Sequence, residues 1–252
     1  MECRQLAAAL VASSRRSKSP GLTWCVGGRV EEDGPVMIVA SSVGLAFLPA
    51  ETMLRAHDVV HVFADATHVE WERKAGWLGD PVAAVVGFGH ATEHPVSVVA
   101  AQAEVFAASK ITPSVDIEKV ADESIPSLGP FGRGRAQVVA PDEWAKIQSL
   151  GVAALAELLL PKAGAVGLKP GDGSGEALFR DAETARDVGP WHQLVAWQAF
   201  CAYQADVAAY RITRGNDDTA ARKAAEEYIY YRWNLEQVDA ALAVIPEPAG
   251  FS

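Results

Sequence analysis

The sequence predicts an N-terminal domain of the α+β or α/β class, with a mixed β-sheet and flanking helices, followed by an α-helical domain. Short apolar segments rich in β-branched residues, separated by turn residues, crowd the first part of the chain. Strand signals nearly vanish after residue 110, and long amphipathic stretches fill the last part. We therefore predict an α/β domain over residues 1–110, a linker or extended arm over 111–140 and a helical domain over 141–252.

Composition limits the classes of protein that this chain can represent. Half of its 252 residues are hydrophobic, which is typical of a soluble globular protein, and its formal net charge of -10 disfavours binding to nucleic acid. No apolar stretch approaches the ~18 residues of a membrane helix, so we predict no integral membrane segment. Glu2 and Arg15–Arg16 around the first apolar patch do not fit a signal peptide, so the expected location is cytoplasmic or secreted without a recognisable signal peptide.

The first elements form a helix and a meander. Cys3, Leu6 and Leu10 recur at helical spacing, which predicts an amphipathic helix over residues 3–15. Three strands are then predicted, over residues 23–30, 35–40 and 44–49. Asp33–Gly34 between the first two is a strong hairpin signal, because glycine adopts positive φ at no steric cost.

The next elements predict a parallel pair of strands. Residues 58–64 and 81–88 are apolar runs of strand length, with a predicted helix over 68–77 between them. Strand, helix, strand in this order is a βαβ unit. A short helix is also predicted over 50–56, and a further helix over 95–109 is expected to cover one face of the sheet.

The last third predicts a helical domain. Four helices are expected, and the final one keeps an apolar heptad that begins at Ala221 and Ala224. The tight connection near Gly215 makes the last two an antiparallel hairpin. The predicted helices cover residues 141–160, 176–187, 190–213 and 217–244.

The sharpest chemical signal is His90-Ala91-Thr92-Glu93-His94, which matches the H-x-x-E-H pattern of one class of zinc peptidases. That pattern needs both imidazoles on one helical face. Pro95 disfavours a helical conformation in His94, so the alternative is a polar loop.

The residues at the predicted strand ends also indicate a wider site. Asp65 and His68 follow one predicted parallel strand, while His90, Glu93 and His94 follow the next. Open α/β sheets bind ligands beyond the carboxyl ends of their strands, so these side chains are candidates for a metal or acid–base site. Loops at strand ends are polar in any protein, which is the competing explanation.

Aromatic residues supply a second candidate site. Tyr230 and Trp233 lie three residues apart and outside the heptad of the last helix, so they form a face of their own. Exposed aromatic side chains are typical anchors of protein interfaces. The alternative is that a neighbouring helix, such as 141–160, covers them.

The chain resembles a family of mycobacterial conserved proteins of uncharacterised function that is linked to type VII secretion loci. The resemblance rests on Trp24-Cys25-Val26-Gly27, the Asp33–Gly34 turn and Gly44-Leu45-Ala46-Phe47-Leu48-Pro49, and it covers roughly residues 20–90. No catalytic residues accompany it. It implies an accessory protein or partner rather than a secreted substrate of that system.

The leading functional hypothesis is a non-enzymatic interaction protein that binds an unidentified protein partner through Tyr230 and Trp233, without a cofactor. The alternative is a metal-assisted hydrolase that uses Asp65, His68, His90 and His94. A third hypothesis is a small-molecule binder in a groove between the two predicted domains.

Overall fold

The computed structural model confirms the predicted fold class, with a mixed sheet and helices in one compact unit, Met1–Val138, and with helices as the regular structure of the described residues in the other, Val139–Ser252. The division at residues 110 and 140 stays a prediction. The structure describes residues 3–17, 21–50, 52–54, 59–120, 132–160, 173–214 and 217–248.

The elements are numbered in chain order. The sheet-containing unit comprises α1 (Cys3–Arg16), β1 (Trp24–Glu31), β2 (Gly34–Ser41), β3 (Val59–His61), α2 (Val62–Asp65), α3 (Trp71–Lys74), α4 (Pro81–Ala91), β4 (Val98–Gln102), α5 (Ala103–Ala108) and β5 (Asp116–Val120). Then follow α6 (Arg135–Val139), α7 (Pro141–Ile147), α8 (Val152–Leu159), α9 (Ser174–Ala185), α10 (Pro190–Arg214) and α11 (Asp218–Leu242).

The sheet has the strand order β3-β2-β1-β4-β5, with β1 antiparallel to both of its neighbours and the outer pairs parallel. Helices α1 and α4 lie on opposite faces of the sheet. Successive residues of β1 point to opposite faces, so Gly27 faces one helix and Gly28 faces the other. A Cβ at Gly27 would collide with Val85 of α4, and one at Gly28 would collide with Cys3 of α1. These two glycines therefore let both helices approach the central strand closely.

The predicted β1–β2 hairpin is confirmed, with Gly34 at φ 124° in its turn. The predicted third strand over 44–49 is wrong, since this segment is buried but irregular. Gly44 has a φ of 74°, and a Cβ there would collide with Leu78. Close packing and a left-handed backbone thus take the segment out of the sheet.

The predicted βαβ unit is also wrong. The apolar run 81–88 belongs to helix α4, and the predicted helix 95–109 contains strand β4 followed by the short helix α5. Asp80 explains the helix, because its Oδ1 accepts hydrogen bonds from the amides of Val82 (3.1 Å) and Ala83 (3.0 Å). An Asp cap followed by proline in the first turn is a strong helix start.

Asp80 also joins α4 to the segment after α5. Its carboxylate accepts hydrogen bonds from the Ser109 hydroxyl (3.0 Å) and the Lys110 amide (2.7 Å). The side chain is only 4% exposed. One buried carboxylate thus satisfies donors from two separate parts of the chain.

The segment 111–140, predicted to be a linker, contributes β5 to the sheet. Asp116–Val120 pairs in parallel with Val98–Gln102, and most of its side chains are at least partly exposed. Charged side chains on a short outer strand are a common way to discourage pairing with other molecules. The charged residues of β5 interrupt the apolar pattern by which a strand is recognised in a sequence. The predicted helix 50–56 lies largely outside the described residues.

The helical unit is built around the α10–α11 hairpin, whose predicted bounds are confirmed to within a few residues. The predicted helix 141–160 is divided into α7 and α8. Asp218 of α11 accepts a hydrogen bond from the Val152 amide (3.0 Å) at the start of α8. Glu226 accepts hydrogen bonds from Trp144 (3.0 Å) and Gln148 (2.9 Å). These bonds attach both short helices to α11.

Within the described residues, every helix is too short or too polar to cross a lipid bilayer.

We predict that Asp80→Ala lowers the free energy of unfolding by about 3 kcal/mol, because it leaves buried donors without an acceptor. Urea unfolding followed by circular dichroism measures the change. Asp116→Ala, at an exposed carboxylate on β5, is the matched control and should change stability by less than about 0.5 kcal/mol. Equal effects of the two substitutions would contradict the role assigned to Asp80.

Candidate functional site

The His90–His94 motif forms the C-terminal end of helix α4. Glu93 has a left-handed φ of 61°. Its amide donates to the carbonyl of His90 (3.3 Å), and the amide of His94 donates to the carbonyl of Gly89 (3.0 Å). This pair of bonds is a Schellman motif, which ends a helix. His90 therefore lies in the last turn of α4, whereas His94 lies beyond the end of the helix. The two imidazole rings are not presented by one helix.

Arg29 of β1 holds this helix end against the sheet. Its Nη1 donates to the Thr92 hydroxyl (2.8 Å) and to the His94 carbonyl (3.1 Å). The guanidinium also pairs with Glu31 at 2.5 Å and lies 5.8 Å from the ring centre of Phe88. Arg29 is 9% exposed, so these contacts are largely shielded from water. The motif thus has a structural role at the α4–β1 contact.

Asp65 and His68 do not share that location in the fold. The Oδ2 atom of Asp65 accepts a hydrogen bond from the backbone amide of His61 (3.0 Å). Desolvation raises the pKa of the Asp65 carboxyl, although the His61 amide and the Arg133 charge oppose this. His68 is exposed in the turn after α2.

The premise of the strand-end site is wrong, because residues 81–88 form a helix and no second parallel strand ends at His90. In the ranges that the structure describes, no three His, Cys, Asp or Glu side chains are close enough together to hold a metal ion. His57 lies outside those ranges. Asp65, His68, His90 and His94 are therefore not brought together as four ligands in the described part of the chain.

The cysteines are buried in the packed interior. Burial raises the pKa of the Cys25 thiol, with smaller contributions from Asp80 and Cys3, and burial raises the pKa of Cys201 to about 12. Both thiols therefore stay protonated at neutral pH, whereas nucleophilic attack requires the thiolate.

Sequence reasoning missed His61, the last residue of β3. Its side chain is 0% exposed, and neither ring nitrogen has a hydrogen-bond partner of good geometry. Burial lowers its pKa to about 4, opposed by the backbone carbonyls of Phe47 and His61. Its position in an apolar run of strand length was the one available sign of a core histidine.

Lys74 is a second buried titratable group that the sequence did not reveal. It is 2% exposed, and its ammonium lies 4.1 Å from the ring centre of Trp71. Its Nζ donates to the Ala66 carbonyl at 3.4 Å. Burial lowers its pKa, with Glu70 opposing the decrease. Trp71 and Trp77 are both buried and pack on Phe63, so these tryptophans support the core rather than an exposed surface.

The predicted aromatic face of α11 is divided between core and surface. Tyr230 is 0% exposed, and its ring centre lies 5.1 Å from that of Tyr231. Tyr231 in turn contacts Phe200 of α10 at 5.8 Å. The expectation of an exposed Tyr230 is therefore wrong, because its side chain belongs to the packed helical core. Trp233 is half-buried.

The position of Trp233 follows from helical geometry. It is two residues after Tyr231, which faces α10, and so points about 200° around the helix from that contact. Glu226 is on a similar side of α11, where it binds Trp144 and Gln148 of α7. Trp233 lies seven residues further on, about 10 Å along the axis. Whether it binds a partner stays a prediction.

We predict that Glu93→Gly raises the free energy of unfolding by about 0.5–1 kcal/mol, since glycine adopts a left-handed backbone without strain. Urea unfolding measures the change. Glu93→Ala is the control and should give no such gain, because alanine retains the steric penalty. Destabilisation by glycine would contradict the strain assigned to the left-handed Glu93.

Comparison with known proteins shows that the chain is similar to proteins of mycobacteria. The chain is 28% identical to the "ESX-1 secretion-associated protein EspK" of Mycobacterium tuberculosis (strain CDC 1551 / Oshkosh), over 95% of this chain and 33% of that protein. It is also 28% identical to an uncharacterized protein of Mycolicibacterium smegmatis (strain MKD8), over 91% of this chain and 30% of that protein. The chain thus spans about a third of the length of these curated relatives.

A solved fragment of the conserved hypothetical protein Rv3899c from Mycobacterium tuberculosis is 15% identical, with a TM-score of 0.39 and 92% of each chain covered. Residues 12–243 match the sequence model of the EspK C-terminal domain, which is most of the 252-residue chain. The chain therefore belongs to the EspK C-terminal domain family.

Proposed function

We propose that this chain is a non-enzymatic interaction module that serves mycobacterial type VII secretion. Membership of the EspK C-terminal domain family supports the link to secretion, since one relative carries the description "ESX-1 secretion-associated protein". The match covers a third of that relative. The proposed partner is a protein whose identity is unknown.

The observation that carries the proposal is the half-buried Trp233 on α11. Its position on α11 is about 200° around the helix from Tyr231, which contacts α10, and about two helical turns from Glu226, which binds α7. Tryptophan is enriched among residues that dominate binding energy, because a large rigid side chain loses little conformational entropy when it is covered.

The surrounding helix is well suited to present this side chain. Tyr230 and Tyr231 are buried immediately before it, and Tyr231 packs on Phe200 of α10. Gln198 of α10 donates a hydrogen bond to Asp239 of α11 (2.7 Å) six residues beyond Trp233. Trp233 is therefore held between two points at which α11 is attached to its neighbour, and this reduces the cost of ordering on binding.

The contacts of the candidate catalytic groups favour an interaction protein over a hydrolase. The His90–His94 turn ends a helix and carries the Arg29 contacts, while Asp65 binds a backbone amide. These groups already stabilise the local backbone. A hydrolytic role would require them to leave those contacts and converge.

We predict that Trp233→Ala weakens partner binding by about 30-fold or more, the typical effect of removing a dominant interface tryptophan. The test is affinity purification from a mycobacterial lysate with quantitative mass spectrometry, followed by titration with the purified partner. Glu236→Ala, an exposed change one turn away on α11, is the matched control.

The expected result is a protein retained by the original chain and by Glu236→Ala but lost with Trp233→Ala. Thermal melting and circular dichroism of both variants separate lost binding from lost folding. Equal recovery of every captured protein by Trp233→Ala would contradict the proposal.

A further inference from the structure

A buried histidine occupies the outermost strand on one side of the described sheet. His61 ends β3, a strand of three residues that pairs only with β2 among the described strands. Its ring is 0% exposed, and neither nitrogen has a hydrogen-bond partner of good geometry. A neutral imidazole is tolerated in such a place, whereas an imidazolium would bring an unsolvated charge into the core.

Within the described ranges, which leave out residues 55–58 before β3, few ionisable side chains lie in the elements next to this ring. Strand β2 and the buried segment 44–49 contain no ionisable side chain, and α2 contributes Asp65. The segment after residue 131 contributes Arg133 and Arg135, of which Arg133 donates from Nη2 to the Val59 carbonyl (2.7 Å). The Asp65 carboxylate accepts a hydrogen bond from the backbone amide of His61 (3.0 Å). Of these groups in the described part of the chain, none therefore forms an ion pair with the ring.

Strand β3 is attached to its neighbours by a small set of hydrogen bonds among the described residues. Besides three paired residues, it has the Arg133 bond to Val59 and the Asp65 bond to His61. Leu54 and Arg133 exchange backbone hydrogen bonds of 3.0 and 2.5 Å beside it. Val59 and His61 are buried, but β3 pairs over three residues, whereas β1 and β2 pair over eight, so its backbone has fewer bonds to break on opening than the central sheet.

We propose that β3 is an acid-sensitive edge of the sheet, released from β2 when the His61 ring takes up a proton. Release gives the imidazolium access to water and frees Asp65 and Arg133 from their bonds to β3. It also uncovers the backbone groups of β2, which then become available to an added strand.

The sign of the effect follows from the lowered pKa of His61. This histidine is neutral in the closed fold down to a pKa of about 4, whereas the solvated ring titrates near 6.5. Its contribution to stability is therefore complete above pH 6.5 and is lost progressively as the pH falls toward 4. Asp65 has the opposite sign, because its raised pKa favours proton uptake by the closed fold at acidic pH.

The experiment is amide hydrogen exchange of the whole chain at pH 7 and pH 5, corrected for the intrinsic exchange rate. The His61 contribution alone increases the opening equilibrium of β3 by about 20-fold between these pH values, the linkage expected for pKa values of about 4 and 6.5, and Asp65 reduces the net increase below that value. Exchange of the central strand β1 should change much less.

Two variants and one control complete the test. His61→Leu and His61→Gln should both abolish the extra opening of β3 at pH 5, while His68→Gln, an exposed histidine nearby in sequence, should retain it. Persistence of the effect in a His61 variant would overturn the proposal, as would equal opening of β1 and β3.

If neither His61 variant folds, the imidazole itself is followed by NMR in the unaltered chain. Titration of the His61 ring below pH 5, together with opening of β3, supports the proposal. Titration near pH 6.5 without any change in β3 overturns it.

Discussion

The buried carboxylate of Asp80 is the constraint on which the sheet-containing unit depends. It begins helix α4 by accepting two amide hydrogen bonds, and it also accepts bonds from Ser109 and Lys110 after α5. A carboxylate with 4% exposure is stable only when donors replace its lost water. Those donors therefore fix both segments, which makes 81–91 a helix and leaves 98–102 free to join the sheet.

The position of α4 determines how the polar residues after it are used. Its close approach to Gly27 brings its C-terminal end to β1, where Arg29 binds Thr92 and the His94 carbonyl. The histidines of the H-x-x-E-H pattern consequently belong to a helix terminus. The helical unit is stabilised instead by aromatic packing, in which Phe200 of α10 contacts Tyr231 of α11. Trp233 of the same helix stays partly accessible.

Sequence patterns predicted the amphipathic elements well. Helix α1, the β1–β2 hairpin and helices α9–α11 each have one apolar face or a clear turn signal, and the fold class and secretion-linked family are confirmed. The run 81–88 was misassigned because it is apolar on all sides, and such a run fits a buried strand and a buried helix equally well. The Asp80 cap at the start of this run favours a helix, whereas its β-branched residues favour a strand, and in the structure the helix forms.

The functional residues were harder to predict, since burial depends on long-range contacts that periodicity does not contain. Tyr230 lies outside the heptad of α11 and is nevertheless covered, while Trp233, three residues later, is half-buried. Likewise, nothing in the sequence near His61 distinguishes it from the exposed His68 except its apolar neighbours.

Backbone chemical shifts of residues 80–94, recorded before and after one equivalent of Zn²⁺, test the central claim most directly. The account predicts helical shifts over Pro81–Ala91, a left-handed shift at Glu93 and no response of His90 or His94 to zinc. Extended shifts over residues 82–88, or stoichiometric zinc-induced changes at both histidines, would contradict it.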